Sequence, residues 1–156
     1  MTTDSGSSRA SPGSPEPEAD PGAVATLVDS NVLLDIMTED ETWVEWSVRA
    51  LEEAADQGPL VINPLVYAEI SIRFSRVEDL ERELGDDFVR SPLPWDAAFL
   101  AGKAFVTYRR NGGTKASTLP DFYIGAHAAV SGLQLLSRDA RRFRTYFPSV
   151  KLVSPH

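Results

Sequence analysis

Val24-Ala25-Thr26-Leu27-Val28-Asp29-Ser30-Asn31-Val32-Leu33-Leu34-Asp35 is the stretch on which the fold turns. Its first half is a short apolar, β-rich run that stops at an acid, which predicts a buried strand. Ser30 or Asn31 then caps a short helix through Ile36. The same strand-then-helix unit recurs down the chain. Thr42 starts a longer helix through residue 57, and Gly58-Pro59 stops it. Leu60-Val61-Ile62 reads as a second buried strand. Asn63-Pro64, an N-cap followed by a proline at the first helical position, opens a helix through residue 75. An acidic helix follows over residues 77–84, a weak strand over 88–90, and a helix over 95–110 that Asn111-Gly112-Gly113 ends. Thr118 with Pro120 opens the next helix and Gly132 closes it. Residues 133–136 and 150–153 read as the remaining strands. Short β-runs alternating with helices predict an α/β fold, a parallel sheet flanked by helices. Such sheets bind ligands at the carboxyl ends of their strands.

The rest of the chain bounds the reading. At 156 residues, 42% apolar and 24% charged, it has room for one domain. Residues 1–22 are Ser/Pro/Gly-rich and poor in apolar side chains, so they are expected to form a disordered tail, with 23–156 as the single domain. There are no cysteines, which removes disulfide scaffolds, thiolate zinc sites and cysteine nucleophiles and fits a reducing, cytoplasmic setting. Only His127 and the C-terminal His156 are present, which speaks against a two-histidine ribonuclease mechanism or a histidine-rich metal site. No apolar run approaches the ~20 residues of a membrane span, and the start has no hydrophobic stretch of the kind a secretory signal needs.

The net charge of −8 hides a division. Residues 1–96 hold 21 acidic and 6 basic side chains, whereas residues 97–156 hold 2 acidic and 9 basic ones. An acidic protein can therefore carry a polyanion-binding face. The two acids isolated in the basic half are Asp121 and Asp139. Asp29 ends the first strand, Glu69 lies in the second turn of the helix after the second, Asp121 lies in a first helical turn, and Asp139 follows the 133–136 strand. Taken singly, each has an ordinary explanation: a strand-end cap, a partner for Arg73, a dipole-favoured carboxylate, a turn residue. Together they fall at strand carboxyl ends and helix amino ends, where one rim of a parallel sheet gathers them. Gly125 and Ala128 give the Asp121 helix a face of small residues, as expected of a helix packed closely on the sheet.

Four gathered carboxylates repel and desolvate one another and need compensation, usually a hard divalent cation such as Mg²⁺ or Mn²⁺. With no thiolate and no base histidine, the pattern points to metal-assisted phosphodiester chemistry, in which the cation lowers the pKa of bound water and stabilises the leaving oxygen.

Four pieces in order carry a family resemblance: Leu27 to Asp35, Asn63-Pro64-Leu65-Val66-Tyr67-Ala68-Glu69, Leu119-Pro120-Asp121-Phe122-Tyr123-Ile124-Gly125-Ala126-His127-Ala128, and Leu136-Ser137-Arg138-Asp139-Ala140-Arg141-Arg142-Phe143. Over residues 24–153 the chain resembles the PIN-domain family, and specifically the VapC-type ribonuclease toxins of bacterial toxin–antitoxin pairs. The resemblance implies a five-stranded parallel sheet and an acidic quartet of Asp29, Glu69, Asp121 and Asp139 holding Mg²⁺ or Mn²⁺, with Asp29 and Asp121 as direct ligands. Asn31 and Ser137 match polar positions that orient the quartet. It further implies RNA as substrate, a cognate VapB-type antitoxin whose tail covers the acidic groove, and a homodimer. The N-terminal tail is a departure from the family pattern.

Arg138, Arg141, Arg142 and Arg144 surround Asp139 and are candidate phosphate contacts; the competing explanation is pairing with the acidic half. Glu69, Arg73 and Arg76 fall on one face of the helix expected there. Tyr108, Phe122, Tyr123 and Phe143 are candidate base-stacking rings, although aromatics at helical spacing are more often core. Trp43 and Trp46 point to packing or a partner groove, and His127 to a structural role. The alternatives are a non-catalytic interaction or phospho-receiver module and a haloacid-dehalogenase-like phosphatase. Both lack support in Asp29-Ser30-Asn31, where a receiver needs adjacent acids and a phosphatase two aspartates one residue apart.

Overall fold

The computed structural model describes residues 22–114 and 119–155. Within them lie five strands: β1 (Thr26–Val28), β2 (Leu60–Ile62), β3 (Phe88–Arg90), β4 (Gln134–Leu136) and β5 (Leu152–Val153). The helices are α1 (Ser30–Met37), α2 (Val44–Gln57), α3 (Pro64–Ser71), α4 (Val77–Leu84), α5 (Trp95–Arg110), α6 (Leu119–Ser131) and α7 (Arg141–Tyr146). Every strand pair is parallel, in the order β3-β2-β1-β4-β5. This is the α/β sheet expected from the sequence.

The three central strands β1, β2 and β4 are short and buried throughout, so they read as apolar runs rather than alternations, whereas the edge strands β3 and β5 are partly exposed. Leu27, Val28, Leu135 and Leu136 are fully enclosed at the centre of the sheet. Strand order reverses between β1 and β4, and such a switch point opens a crevice at the strand carboxyl ends. Asp29 leaves β1 and Ser137 leaves β4 at this point, joined by a bond from the Asp29 N–H to the Leu136 carbonyl (2.9 Å).

Several expected boundaries move. The cap of α1 is Asp29, whose side chain accepts from the Ser30 N–H, rather than Ser30 or Asn31. Asn63 does cap α3, accepting from Val66 N–H at 2.9 Å with Pro64 behind it. That helix ends at Ser71 instead of residue 75, so Arg73 and Arg76 do not share a helical face with Glu69. Arg76 instead precedes α4 and pairs with Glu78. The start of α2 falls at Val44, because Asp40 accepts from the Thr42 and Trp43 N–H groups and holds them in a turn. The expected cap at Thr118 and most of the expected tail lie outside the described residues. Helix α7 has no counterpart in the sequence reading.

Gly125 does seat a close neighbour, but the neighbour is not the sheet. A Cβ there would meet the Phe147 ring at 2.4 Å and Phe143 at 3.1 Å. Gly125→Ala is therefore expected to cost about 1–3 kcal/mol through overpacking. Urea denaturation checks this, and an unchanged midpoint would contradict it.

Candidate metal centre at the switch point

Asp29 is the most enclosed acid of the set, with 5% of its surface exposed. One carboxylate oxygen, Oδ1, accepts from the Ser30 N–H at 2.8 Å, and Oδ2 accepts from the Ser137 hydroxyl at 2.8 Å. Burial nevertheless lifts its pKa from 3.8 to about 7. The Ser137 bond works against that rise, whereas the negative charges of Asp121 and Glu69 add to it. Glu69 is also raised, first by burial and then by Asp121, with a bond from the Ser30 hydroxyl (2.7 Å) opposing. The charge of Asp121, on α6, thus acts both on Asp29 just past β1 and on Glu69 of α3.

Ser137 is the hub that orients this site. Its single proton has the Asp29 carboxylate and, at 3.2 Å, the Asp139 carbonyl within reach. The charged acceptor is the stronger and nearer one. Its lone pairs face the Asp139 N–H (3.1 Å) and the Asn31 side-chain amide (3.3 Å). Asn31 also accepts from the Arg138 N–H at 3.1 Å, so it ties α1 to the segment after β4.

Asp139 differs from the other three acids in its setting. It is exposed, and it joins the network through its backbone. The physical reason is its place three residues past β4, where the chain has already turned toward α7.

The basic candidates also divide. Arg138, expected among the phosphate contacts, lies instead in a two-pronged ion pair with Asp35 (2.8 and 2.9 Å), its guanidinium 5.2 Å from the Trp43 ring centre. Asp35 is buried and also accepts from the Ser47 hydroxyl at 2.7 Å. Arg142 donates to Asp121 Oδ2 at 2.5 Å. Phe122 and Phe143 are buried in the core, which removes them as base-stacking surfaces. His127 is buried between Asn63 and Ser91, consistent with its structural reading, and burial lowers its pKa.

Sequence reasoning missed two contributors. Ser30 was read only as a possible cap, yet its hydroxyl holds Glu69. Asp35 had a usable signal, an acid set between Leu34 and Ile36 in an otherwise apolar helix. An apolar cavity of about 490 Å³ lies beside α3, lined by Ile62, Pro64, Tyr67 and Pro92 among others. It is lined by none of the four acids.

The donors fit a hard divalent ion in kind: all are oxygens, and Asp29 and Glu69 carry raised pKa values that a nearby cation would reverse. As the side chains stand, no three His, Cys, Asp or Glu groups among the described residues are arranged to hold a metal ion. The hydrogen bonds give a physical reason. Ser137 holds Asp29, Ser30 holds Glu69 and Arg142 holds Asp121, each carboxylate turned to its own donor.

A sequence model of the PIN domain matches residues 26–147, spanning β1 to the end of α7. The chain belongs to the PIN-domain family. No curated protein matches it at the sequence level. Among solved structures, this PIN domain is similar to a chain of VapBC2 from Rickettsia felis bound to a promoter DNA fragment, with a TM-score of 0.66 at 16% identity over 85% of this chain and 100% of that one. A chain of VapBC-1 from nontypeable Haemophilus influenzae gives 0.65 at 16% identity, covering 84% and 98%. A toxin–antitoxin complex from Klebsiella pneumoniae gives 0.60 at 24% identity, covering 84% and 98%. These likenesses establish the PIN fold over nearly the whole described chain.

Proposed function

We propose that this PIN domain is a metal-dependent endoribonuclease, the toxin of a cytoplasmic toxin–antitoxin pair. The observation that carries the reading is the gathering of Asp29 and Glu69 on Ser30 at the β1/β4 switch point, with Asp121 near enough for its charge to raise the pKa of both. Asp29 and Asp121 are the direct ligands of Mg²⁺ or Mn²⁺; Glu69 and Asp139 complete the acidic set. When bound, the ion supplies a water of lowered pKa and stabilises charge on the leaving oxygen. The chain's own residues do the rest. Ser137 and Ser30 aim the carboxylates, Asn31 fixes the segment after β4, and Arg141 and Arg142 meet RNA phosphates. The domain occupies residues 23–156, with residues 1–22 as a tail. Membership in the PIN family weighs against the phospho-receiver alternative, and a non-catalytic module is separated by experiment. Inducible expression with sequencing of RNA 5′ ends should show new ends with the intact chain and none with Asp121→Asn. Identical profiles would overturn the reading.

The similar structure from Klebsiella pneumoniae is a toxin–antitoxin complex. The partner proposed here is a VapB-type antitoxin, encoded by a small neighbouring reading frame, that covers the acidic groove. A second copy of the chain is the other partner. Trp95 is 90% exposed and Phe99 71%, one turn apart on α5, with Val106 further along the same face. Contiguous apolar exposure of this kind marks an interface. Trp95→Lys with Phe99→Lys is expected to shift the sedimenting species from dimer to monomer; an unchanged mass would contradict the assignment.

A further inference from the structure

Arg142 is built into the site more firmly than a surface cation. Its guanidinium lies 5.5 Å from the ring centre of Tyr108 and 5.9 Å from that of Phe122. These rings belong to an aromatic cluster with Phe105 and Tyr146, and Phe122 is wholly buried. The cluster forms a floor from α5 and α6 on which the cation rests favourably and faces Asp121. The side chain of Arg142 is 26% exposed and that of Asp121 37%, so the pair is partly withdrawn from solvent screening.

We propose that the Arg142 guanidinium and a divalent cation are alternative occupants of the Asp121 carboxylate, so that Arg142 sets the cation affinity of the site from within the chain. The inference rests on the metal-centre reading above. Arg142 sets a positive charge on Asp121, the carboxylate whose charge presses on both Asp29 and Glu69. A divalent ion bonding the same carboxylate would stand within a few ångströms of the guanidinium, and like charges at that range repel. The displaced side chain has a place to go. A cavity of about 460 Å³ borders Arg142 and is lined by Asp139, Arg141, Thr145, Tyr108 and Tyr146. There the guanidinium gains Asp139 as a neighbour and joins Arg141 as a second cation for a phosphate.

The test is Mn²⁺ binding by the full-length, metal-stripped protein, followed calorimetrically without RNA. Arg142→Gln is expected to bind Mn²⁺ about tenfold more tightly than wild type, the scale of one charge-assisted hydrogen bond removed from competition. Arg141→Gln, which removes an equal charge from the next residue, should change the affinity by no more than about twofold. Equal or weaker binding by Arg142→Gln would overturn the proposal, and so would equal tightening in both variants. Asp29→Asn separates the two ideas. If it binds Mn²⁺ as wild type does, the metal centre itself is wrong. If it loses binding while Arg142→Gln matches wild type, only the competition is wrong. A readout on unmodified protein does not depend on variant folding. The Arg142 Nε–H resonance should move with Mg²⁺ at the binding midpoint, and a resonance that stays fixed through saturation would overturn the proposal.

Discussion

Replacing Asp29 with Asn should lower RNA cleavage by more than about 100-fold, beyond the range of outer-shell ligand partners, while making the metal-free protein more stable. The two effects share one cause. In the folded chain the Asp29 carboxyl holds its proton up to about pH 7, against 3.8 in the ordinary case. The native state therefore binds a proton that the unfolded chain has released, and the associated stability is complete below pH ~4 and lost as pH rises through ~7. At pH 8 without metal, the wild type carries an ionised, enclosed carboxylate facing two others, at a cost on the order of a few kcal/mol. An asparagine keeps an oxygen for the Ser30 N–H and has no charge to bury. The stability gap between Asp29→Asn and wild type should thus be small near pH 4–5 and reach its full size above pH 7. Urea titrations in EDTA across that range measure it. A gap independent of pH would contradict the account, as would full cleavage by the variant.

Asp35→Ala is expected to have the largest destabilising effect, about 3–5 kcal/mol, because it strands the partners of a buried ion pair. Asp35 is 2% exposed and satisfies both Arg138 and Ser47. Without it, the guanidinium and the hydroxyl lose their acceptor, and the segment carrying Ser137 and Asp139 loses its anchor to α1. Cleavage should fall with the anchor, although the partners of Asp35 are Arg138 and Ser47 rather than the four acids themselves. The same pair decides the role of Arg138. If its task is to hold that segment, Arg138→Gln lowers stability with Asp35 intact, and apolar replacement of both residues recovers much of the loss. If it contacts RNA, Arg138→Gln instead weakens RNA binding at nearly unchanged stability, which would contradict the anchoring role.

The parts of this molecule that local chemistry governs were readable in the sequence. Short apolar runs bounded by Asp29, Gly58-Pro59 and Asn63-Pro64 announced the strands and their order of appearance, since those caps and breakers act within a few residues. Asp29, Asp121 and Asp139 were placed at the correct ends of their elements for the same reason, whereas Glu69 falls near the end of an α3 shorter than expected. What escaped reading depends on neighbours far along the chain. Helix α7 is six residues long, has no side-chain cap at Ala140, and buries only Phe143. Its existence rests on Phe143 and Phe147 packing at Gly125. Likewise α3 stops at Ser71, whose hydroxyl turns back to the Tyr67 carbonyl, although apolar residues continue through Phe74. Side-chain partnership was the least legible level. Arg138 and Arg142 lie four residues apart in one basic stretch, yet one is anchored to Asp35 and the other meets Asp121.

Anomalous scattering from crystals grown with Mn²⁺ tests most directly whether three distant carboxylates share one cation. A peak bridging the Asp29 and Asp121 carboxylates, with Glu69 beside it and absent in Asp29→Asn, is the predicted result. Saturating Mn²⁺ with no peak at that crevice, in crystals of protein that still cuts RNA, would contradict it.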